Sequence, residues 1–273
     1  MALTKVTKLD MNKLKRIWIY LKIIPLTKIP YFILSKFINT RLTGYNKYLE
    51  LFKGKNGLEI GGPSDCFCSN NILPIYSVIN NLDGVNFGTF TIWEGELQDG
   101  EVFRYDNKTK NGSQYIREAV NLNNIQSGKY DFVVSCNCLE HIANPILAIK
   151  EWLRVLKHDG LLLMMLPNKM LNFDHKRNIT TLNHLISDLN NNTAENDLTH
   201  LDEILELHEL SLDPEAGTFE DFKDRGMKNF ENRALHHHVF DMKLLKEISG
   251  YLNVQVLLEN TTLNDLYILV RKA

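Results

Sequence analysis

Residues 130–167 read YDFVVSCNCLEHIANPILAIKEWLRVLKHDGLLLMMLP, and this stretch decides the fold. Tyr130-Asp131-Phe132-Val133-Val134-Ser135-Cys136 is a short run rich in β-branched and aromatic residues, the pattern of a buried strand. Between positions 145 and 157, Ile146, Leu147, Ile149, Trp152, Leu153, Val155 and Leu156 recur with helical periodicity. Asp159-Gly160 is expected to stop that helix. Residues 161–166 are continuously apolar and close at Pro167, which predicts a second strand. Strand, helix and strand at this spacing mean a βαβ unit and a parallel sheet. Upstream, Gly57-Leu58-Glu59-Ile60-Gly61-Gly62 predicts another buried strand ending in glycines. Downstream, residues 254–259 and 265–271 flank a polar turn and predict a hairpin at the sheet edge. The expected fold class is α/β.

The chain has 273 residues, 44% apolar and 23% charged, which excludes a disordered tail, a collagen-like repeat and a disulfide-stapled miniprotein. With 31 Lys+Arg against 33 Asp+Glu, its formal charge of -2 gives no basic field for a nucleic-acid partner. Cys66, Cys68, Cys136 and Cys138 form two C-x-C pairs without zinc-knuckle spacing and read as buried thiols of a reducing cytoplasm. Positions 1–41 hold nine Lys or Arg and one acid, Asp10. Lys22, Pro25, Lys28 and Pro30 interrupt this stretch before the roughly 20 apolar residues of a membrane span accumulate. Nor does it show a compact apolar core followed by a small-residue cleavage site. A basic amphipathic helical arm is expected over 1–50. It would cap the domain or lie on an anionic membrane surface, keeping a cytoplasmic protein peripheral to the inner membrane.

Glycines directly after an apolar strand let the backbone turn sharply and approach a ligand. Gly61-Gly62 falls short of G-x-G-x-x-G, and Pro63 removes one N–H from the loop, so a dinucleotide cradle is not expected. No G-x-x-x-x-G-K-[ST] motif is present, which disfavours a nucleotide hydrolase. Taken together, Leu58-Glu59-Ile60-Gly61-Gly62-Pro63-Ser64, the run from Tyr130 to Ser135, Leu139-Glu140-His141-Ile142 and the 151–160 helix end resemble the class I S-adenosylmethionine (SAM) dependent methyltransferases. The resemblance covers residues 55–170 and implies a Rossmann-like, seven-stranded methyltransferase sheet with helices on both faces. The domain would span 51–273, with residues 168–245 as a polar helical insertion over the strand ends.

The same resemblance implies a SAM site. Glu59, Gly61 and Gly62 would border the methionine half, while Glu118-Ala119-Val120-Asn121-Leu122 looks like the family's adenine segment. Glu118, Ala119 and Asn121 are therefore assigned to the cofactor. Cys136, Asn137 and Leu139 follow the fourth strand and would line the methyl-donor pocket. The ribose acid, by spacing, is Asp83, with Asn86 and Glu94 as rivals.

Seven of the nine histidines fall between 175 and 238, among Asp174, Arg177, Asp197, Glu203 and the run His236-His237-His238. A neutral imidazole is a natural base for an alcohol attacking a sulfonium methyl. His175, His237 and His238 are the candidate bases, and Asp174 is the candidate orienting carboxylate. Taken singly, each histidine reads equally well as a hydrogen-bonded structural residue. His and carboxylate together could instead hold a divalent metal, but no H-x-x-x-H or H-E-x-x-H motif supports this and no metal is assigned. The 173–240 motifs also resemble a bacterial methyltransferase subgroup associated with surface-glycan assembly. That implies O-methylation of a sugar hydroxyl on a nucleotide-linked sugar or glycan. An amine or phosphoryl-type acceptor, and a non-catalytic SAM-binding or membrane-associated scaffold, stand as alternatives. Sheet edges and the arm leave room for a homodimer.

Overall fold

A computed structural model describes residues 18–22, 24, 26–30 and 41–273. Most of the expected basic arm, and with it the expected membrane contact, lies outside the described residues. Among them, no helix is long and apolar enough to cross a membrane.

The central sheet holds strands β1 (Asn56–Ile60), β2 (Asn81–Asn86), β3 (Val102–Tyr105), β4 (Lys110–Ile116), β5 (Tyr130–Cys136), β6 (Leu156–Pro167), β7 (Gln255–Thr261) and β8 (Asp265–Arg271). Their spatial order is β3-β4-β2-β1-β5-β6-β8-β7. Strands β4, β2, β1, β5 and β6 are parallel, and β8 and β7 close one side as an antiparallel hairpin. This is the expected α/β, Rossmann-like methyltransferase sheet with one strand more than the seven anticipated. The extra strand is β3, which pairs antiparallel with β4 at the edge.

The helices that pack around the sheet or in the insertion include α1 (Tyr45–Phe52), α2 (Pro145–Val155), α3 (Leu182–Asn191), α4 (Leu201–Leu207), α5 (Phe219–Met227) and α6 (Met242–Tyr251). Successive side chains of a strand face opposite ways, so the sheet carries a core on each side. Val133 joins Trp152, Ile146 and Leu244 beneath α2 and α6. Phe132 and Val134 join Tyr48, Phe52 and Phe67 beneath α1. The insertion has a small core of its own, Ile204, Ala216, Phe222 and Leu235. Because Leu244, Leu245 and Ile248 belong to the main core, α6 is part of the sheet domain, and the insertion ends before it.

One expectation is corrected. Asp159-Gly160 does not stop the helix, which ends at Val155 and passes directly into β6. The β5–β6 register runs Tyr130 to Leu156 and then Phe132 to Leu161, so residues 157–160 bulge from the ladder. Asp159 takes the left-handed conformation at φ 59 within that bulge.

The end of α2 fastens the 118–125 loop. Fully buried Trp152 donates from Nε1 to the Ala119 carbonyl at 3.0 Å. Arg154 donates to the carbonyls of Leu122 and Ile125, each at 2.9 Å, and Glu151 accepts from the Leu122 N–H at 3.1 Å. The helix periodicity that places Trp152 in the core therefore also sets the position of the loop. Replacing Trp152 by Ala should cost about 3–5 kcal/mol. In thermal unfolding this should lower Tm by roughly 2–4 °C per kcal/mol. An unchanged Tm would contradict this anchoring.

Candidate active site

Parallel sheets place ligands beyond the carboxyl ends of their strands. Gly61 after β1, Asn86 at the end of β2, and Cys136 and Asn137 at the end of β5 line one cavity there, of about 520 Å³. That is within the range of small-molecule sites.

The glycine turn is built from both sides. Gly61 sits at φ +79, and a Cβ there would meet Cys138 Sγ at 3.1 Å. Its N–H donates to the Val85 carbonyl at 2.8 Å, tying the turn to β2. A Cβ on Gly62 would meet the Glu59 carboxyl at 2.2 Å. Glu59 lies fully buried behind the turn, accepting from the Ser64 N–H at 3.1 Å and the Tyr76 hydroxyl at 2.5 Å. Burial pushes its carboxyl up to about 7, with the Ser64 and Tyr76 hydrogen bonds opposing. Glu59 and Gly62 thus shape the loop from behind, while Gly61 faces the cavity.

Across the cavity, Glu118 and Ala119 face it from the clasped loop. Arg233, from the insertion, bridges Glu118 at 2.8 Å and Glu195 at 3.3 Å, and its guanidinium lies 5.1 Å from the Phe87 ring centre. The cavity wall is acidic: Asp65, Glu94, Glu118, Glu140 and Glu195 line it, against Arg117 and Arg233. Burial pushes Glu140 and Glu195 up to about 7. Both carboxyl oxygens of Glu140 are buried without a hydrogen-bond partner, a socket for a donor or cation on a ligand.

The insertion contributes His236. Its Nδ1 lies 2.5 Å from Asp174 Oδ2, and Asp174 also accepts from Arg177 at 3.1 Å. Arg177 is itself buried and donates to the backbone carbonyls of His236 and His237 at 2.8 and 3.1 Å. Burial opposes charge on both acid and imidazole, but their mutual attraction outweighs it. Asp174 is held at about 2, and His236 is raised above the usual imidazole value. The His141 ring packs edge-on at 4.5 Å from His236, and Trp93 edge-on at 5.3 Å from His141. Burial drives His141 well below its ordinary value, keeping it neutral. Ligand atoms of Glu140, His141 and His236 lie within 4.8 Å of one another, close enough to share a cation.

Among the residues predicted from sequence, the structure brings Gly61, Glu118, Ala119, Cys136 and Asn137 to the cavity wall. Asp83 is not there. It lies inside β2, accepting from the Tyr130 hydroxyl at 2.7 Å and the Ser113 N–H at 3.0 Å, a structural role. Asn86, its rival, occupies the strand end. Asn121 lies in a neighbouring shallow hollow, and Leu139 is buried in the core. His175 sits beside the Asn172 carbonyl and away from the cavity, and His237 is buried against Asn229 at 3.0 Å. His238 is buried beneath Ala143. None of these three lines the cavity; of the 236–238 run, only the first ring reaches it. Sequence alone could not select among three consecutive histidines. Arg233 and Trp93 carried no motif at all, and Glu140 and His141 were visible only as part of the Leu-Glu-His turn.

Residues 96–164 match the family model described as methyltransferase domain. The matched stretch includes Glu118, Ala119, Cys136, Asn137, Glu140 and His141. That stretch is similar to methyltransferase domains. S-adenosyl-L-methionine is the cofactor of this domain. The methyltransferase cavity fits it in chemistry: a turn kept open by Gly61, an acidic wall for a sulfonium and an ammonium, and the unpartnered Glu140 carboxyl. No curated protein matches the chain. Similar solved structures include a SAM-dependent methyltransferase from Aquifex aeolicus, with 11% identity, 85% of this chain and 89% of that one covered, and a TM-score of 0.43. Another is the N-methyltransferase NodS from Bradyrhizobium japonicum, with 10% identity, 84% and 94% covered, and a TM-score of 0.41. A SAM-dependent methyltransferase from Methanosarcina mazei has 15% identity, 81% and 93% covered, and a TM-score of 0.42.

Replacing Gly61 by Ala forces an L side chain into a left-handed turn, which costs about 1–2 kcal/mol before any contact with Cys138 is counted. The methyltransferase should then bind S-adenosylhomocysteine about tenfold or more weakly. The stabilisation that this nucleoside gives in thermal unfolding should shrink accordingly. Wild-type binding by G61A would show that the turn does not meet the cofactor.

Proposed function

We propose that this protein transfers a methyl group from SAM to a hydroxyl of a sugar-type acceptor, a small molecule or a glycan, with His236 as general base. The observation that carries the reading is the 2.5 Å contact between Asp174 Oδ2 and His236 Nδ1 at the wall of the methyltransferase cavity. A buried carboxylate on Nδ1 fixes the tautomer and leaves Nε2 to face substrate, as carboxylates do for catalytic imidazoles. Aromatic faces at Trp93, Phe87 and Phe173, interleaved with Asn172 and Glu140, suit a polyhydroxylated ring that needs both stacking and hydrogen bonds.

SAM, when bound, supplies a methyl carbon made electrophilic by its sulfonium. Gly61, Asn86, Glu118, Ala119 and Asn137, which line the cavity, would hold it. Glu140 would accept a hydrogen bond or a positive charge from either ligand. His236 Nε2 would take the acceptor's hydroxyl proton as the new O–C bond forms and the sulfonium C–S bond breaks, with S-adenosylhomocysteine as the leaving group, and Asp174 would stabilise the resulting imidazolium. Arg177 keeps Asp174 ionised, and the Arg233 bridge holds the insertion over the reacting groups. Positioning supplies much of the remaining rate.

The test is turnover of SAM against a panel of nucleotide-linked sugars. Removal of a general base costs about 10²–10⁴-fold. His236→Ala and Asp174→Asn should fall in that range while retaining S-adenosylhomocysteine binding, and His175→Ala should keep wild-type turnover. Wild-type turnover by H236A would remove the base assignment. Methylation of amines alone would replace the hydroxyl acceptor.

A further inference from the structure

Three separate segments of the insertion converge on a second cluster, away from the cavity. His184 and Asp188 stand one turn apart on α3, His200 precedes α4, and His238 lies in the run that leads to α6. None of the four lines the methyltransferase cavity. His184 Nε2 and His200 Nε2 face each other at 3.0 Å, and Asp188 Oδ2 lies 3.4 Å from His184 Nε2 and 3.7 Å from His238 Nε2. One nitrogen from each of His184, His200 and His238 falls within 4.8 Å of the others.

A plain hydrogen-bonded cluster explains these contacts poorly. Two facing Nε2 atoms can share only one proton. Asp188 Oδ2 is buried with no hydrogen-bond partner although imidazoles surround it; His238 Nε2 also lies 3.2 Å from the Ala143 carbonyl, while its Nδ1 is buried and unpartnered. Such orphaned buried atoms are costly. Four-coordinate zinc with bonds of about 2.0–2.2 Å would set its ligand atoms about 3.3 Å apart, close to the spacings at His184. Imidazole nitrogens with one carboxylate oxygen form a donor set of zinc character. The outer nitrogen of His200 faces Glu203 at 3.8 Å, the kind of second carboxylate that orients a ligating imidazole.

We infer that His184, His200 and His238, with Asp188, bind one divalent transition-metal ion of the zinc type, which ties the three segments of the insertion together. The site lies two residues from His236, so the metal would fix the backbone that presents the base while remaining outside the reaction. His184 and Asp188 are four apart on one helix face, which supplies two ligands without an H-x-x-x-H motif. That is why spacing rules assign no metal to this sequence.

The experiment uses the full chain, stripped with a chelator and titrated with zinc chloride. Bound metal is read by elemental analysis and stability by thermal unfolding. The stripped wild type should take up one tightly held zinc per chain and gain several degrees in Tm. His200→Ala should lose both responses, and His200→Cys, which keeps a ligand, should recover the zinc. His141→Ala should behave as wild type, separating this site from the Glu140–His141–His236 group. If H200A is misfolded by circular dichroism, His184→Ala takes its place under the same criteria. No zinc uptake by the wild type, or full uptake by both H184A and H200A, would overturn the site. Loss of zinc by H141A alone would place the ion in the cavity and overturn it equally.

Discussion

The buried pair of Arg177 and Asp174 is the interaction on which the placement of the histidine run depends. Two opposite charges removed from water survive only when their remaining hydrogen-bonding capacity is met. Here Asp174 meets it with His236, and Arg177 meets part of it with the carbonyls of His236 and His237, its Nε lying 3.6 Å from Glu203. The pair therefore does more than stabilise the insertion. It dictates where the backbone of the histidine run lies and which ring nitrogen is engaged. Removal of either charge would leave the other buried and unpaired, which typically costs about 3–5 kcal/mol.

The other half of the site is set by a different economy of contacts. The cofactor loop has no regular structure to hold it, so α2 holds it from below through Glu151, Trp152 and Arg154. From above, Arg233 spans Glu118 and Glu195 and lies against Phe87. Sheet and insertion thus meet at Glu118, on the wall of the cavity. Preorganisation of this kind places reacting groups before substrate arrives.

The sheet was legible in the sequence because its signals are local. The apolar run from Tyr130 to Cys136 and the helical spacing of Ile146, Ile149 and Trp152 each report on their own element. The bulge at 157–160 was not legible, since Asp159-Gly160 reads as a helix stop whether or not a strand follows at once. Edge strand β3, VFRY, is short and carries charge, so it gives little periodic signal. Gly61 was found from its place after a strand, and Glu118 from the resemblance of its segment to the family's adenine segment. Asp83 was misassigned because counting residues from the glycines cannot tell the middle of β2 from its end. Which ring of the 236–238 run reaches the cavity was not legible, because His236 is held there by Asp174, 62 positions away in the chain. Contacts of that range leave no spacing to read.

The central claim is that the strand-end cavity is a SAM site. Calorimetric titration of the full chain with S-adenosylhomocysteine, with NADH as control, tests it most directly. The account predicts one binding event per chain for the homocysteine nucleoside and none for NADH. Absence of binding, or equal binding of NADH, would contradict it.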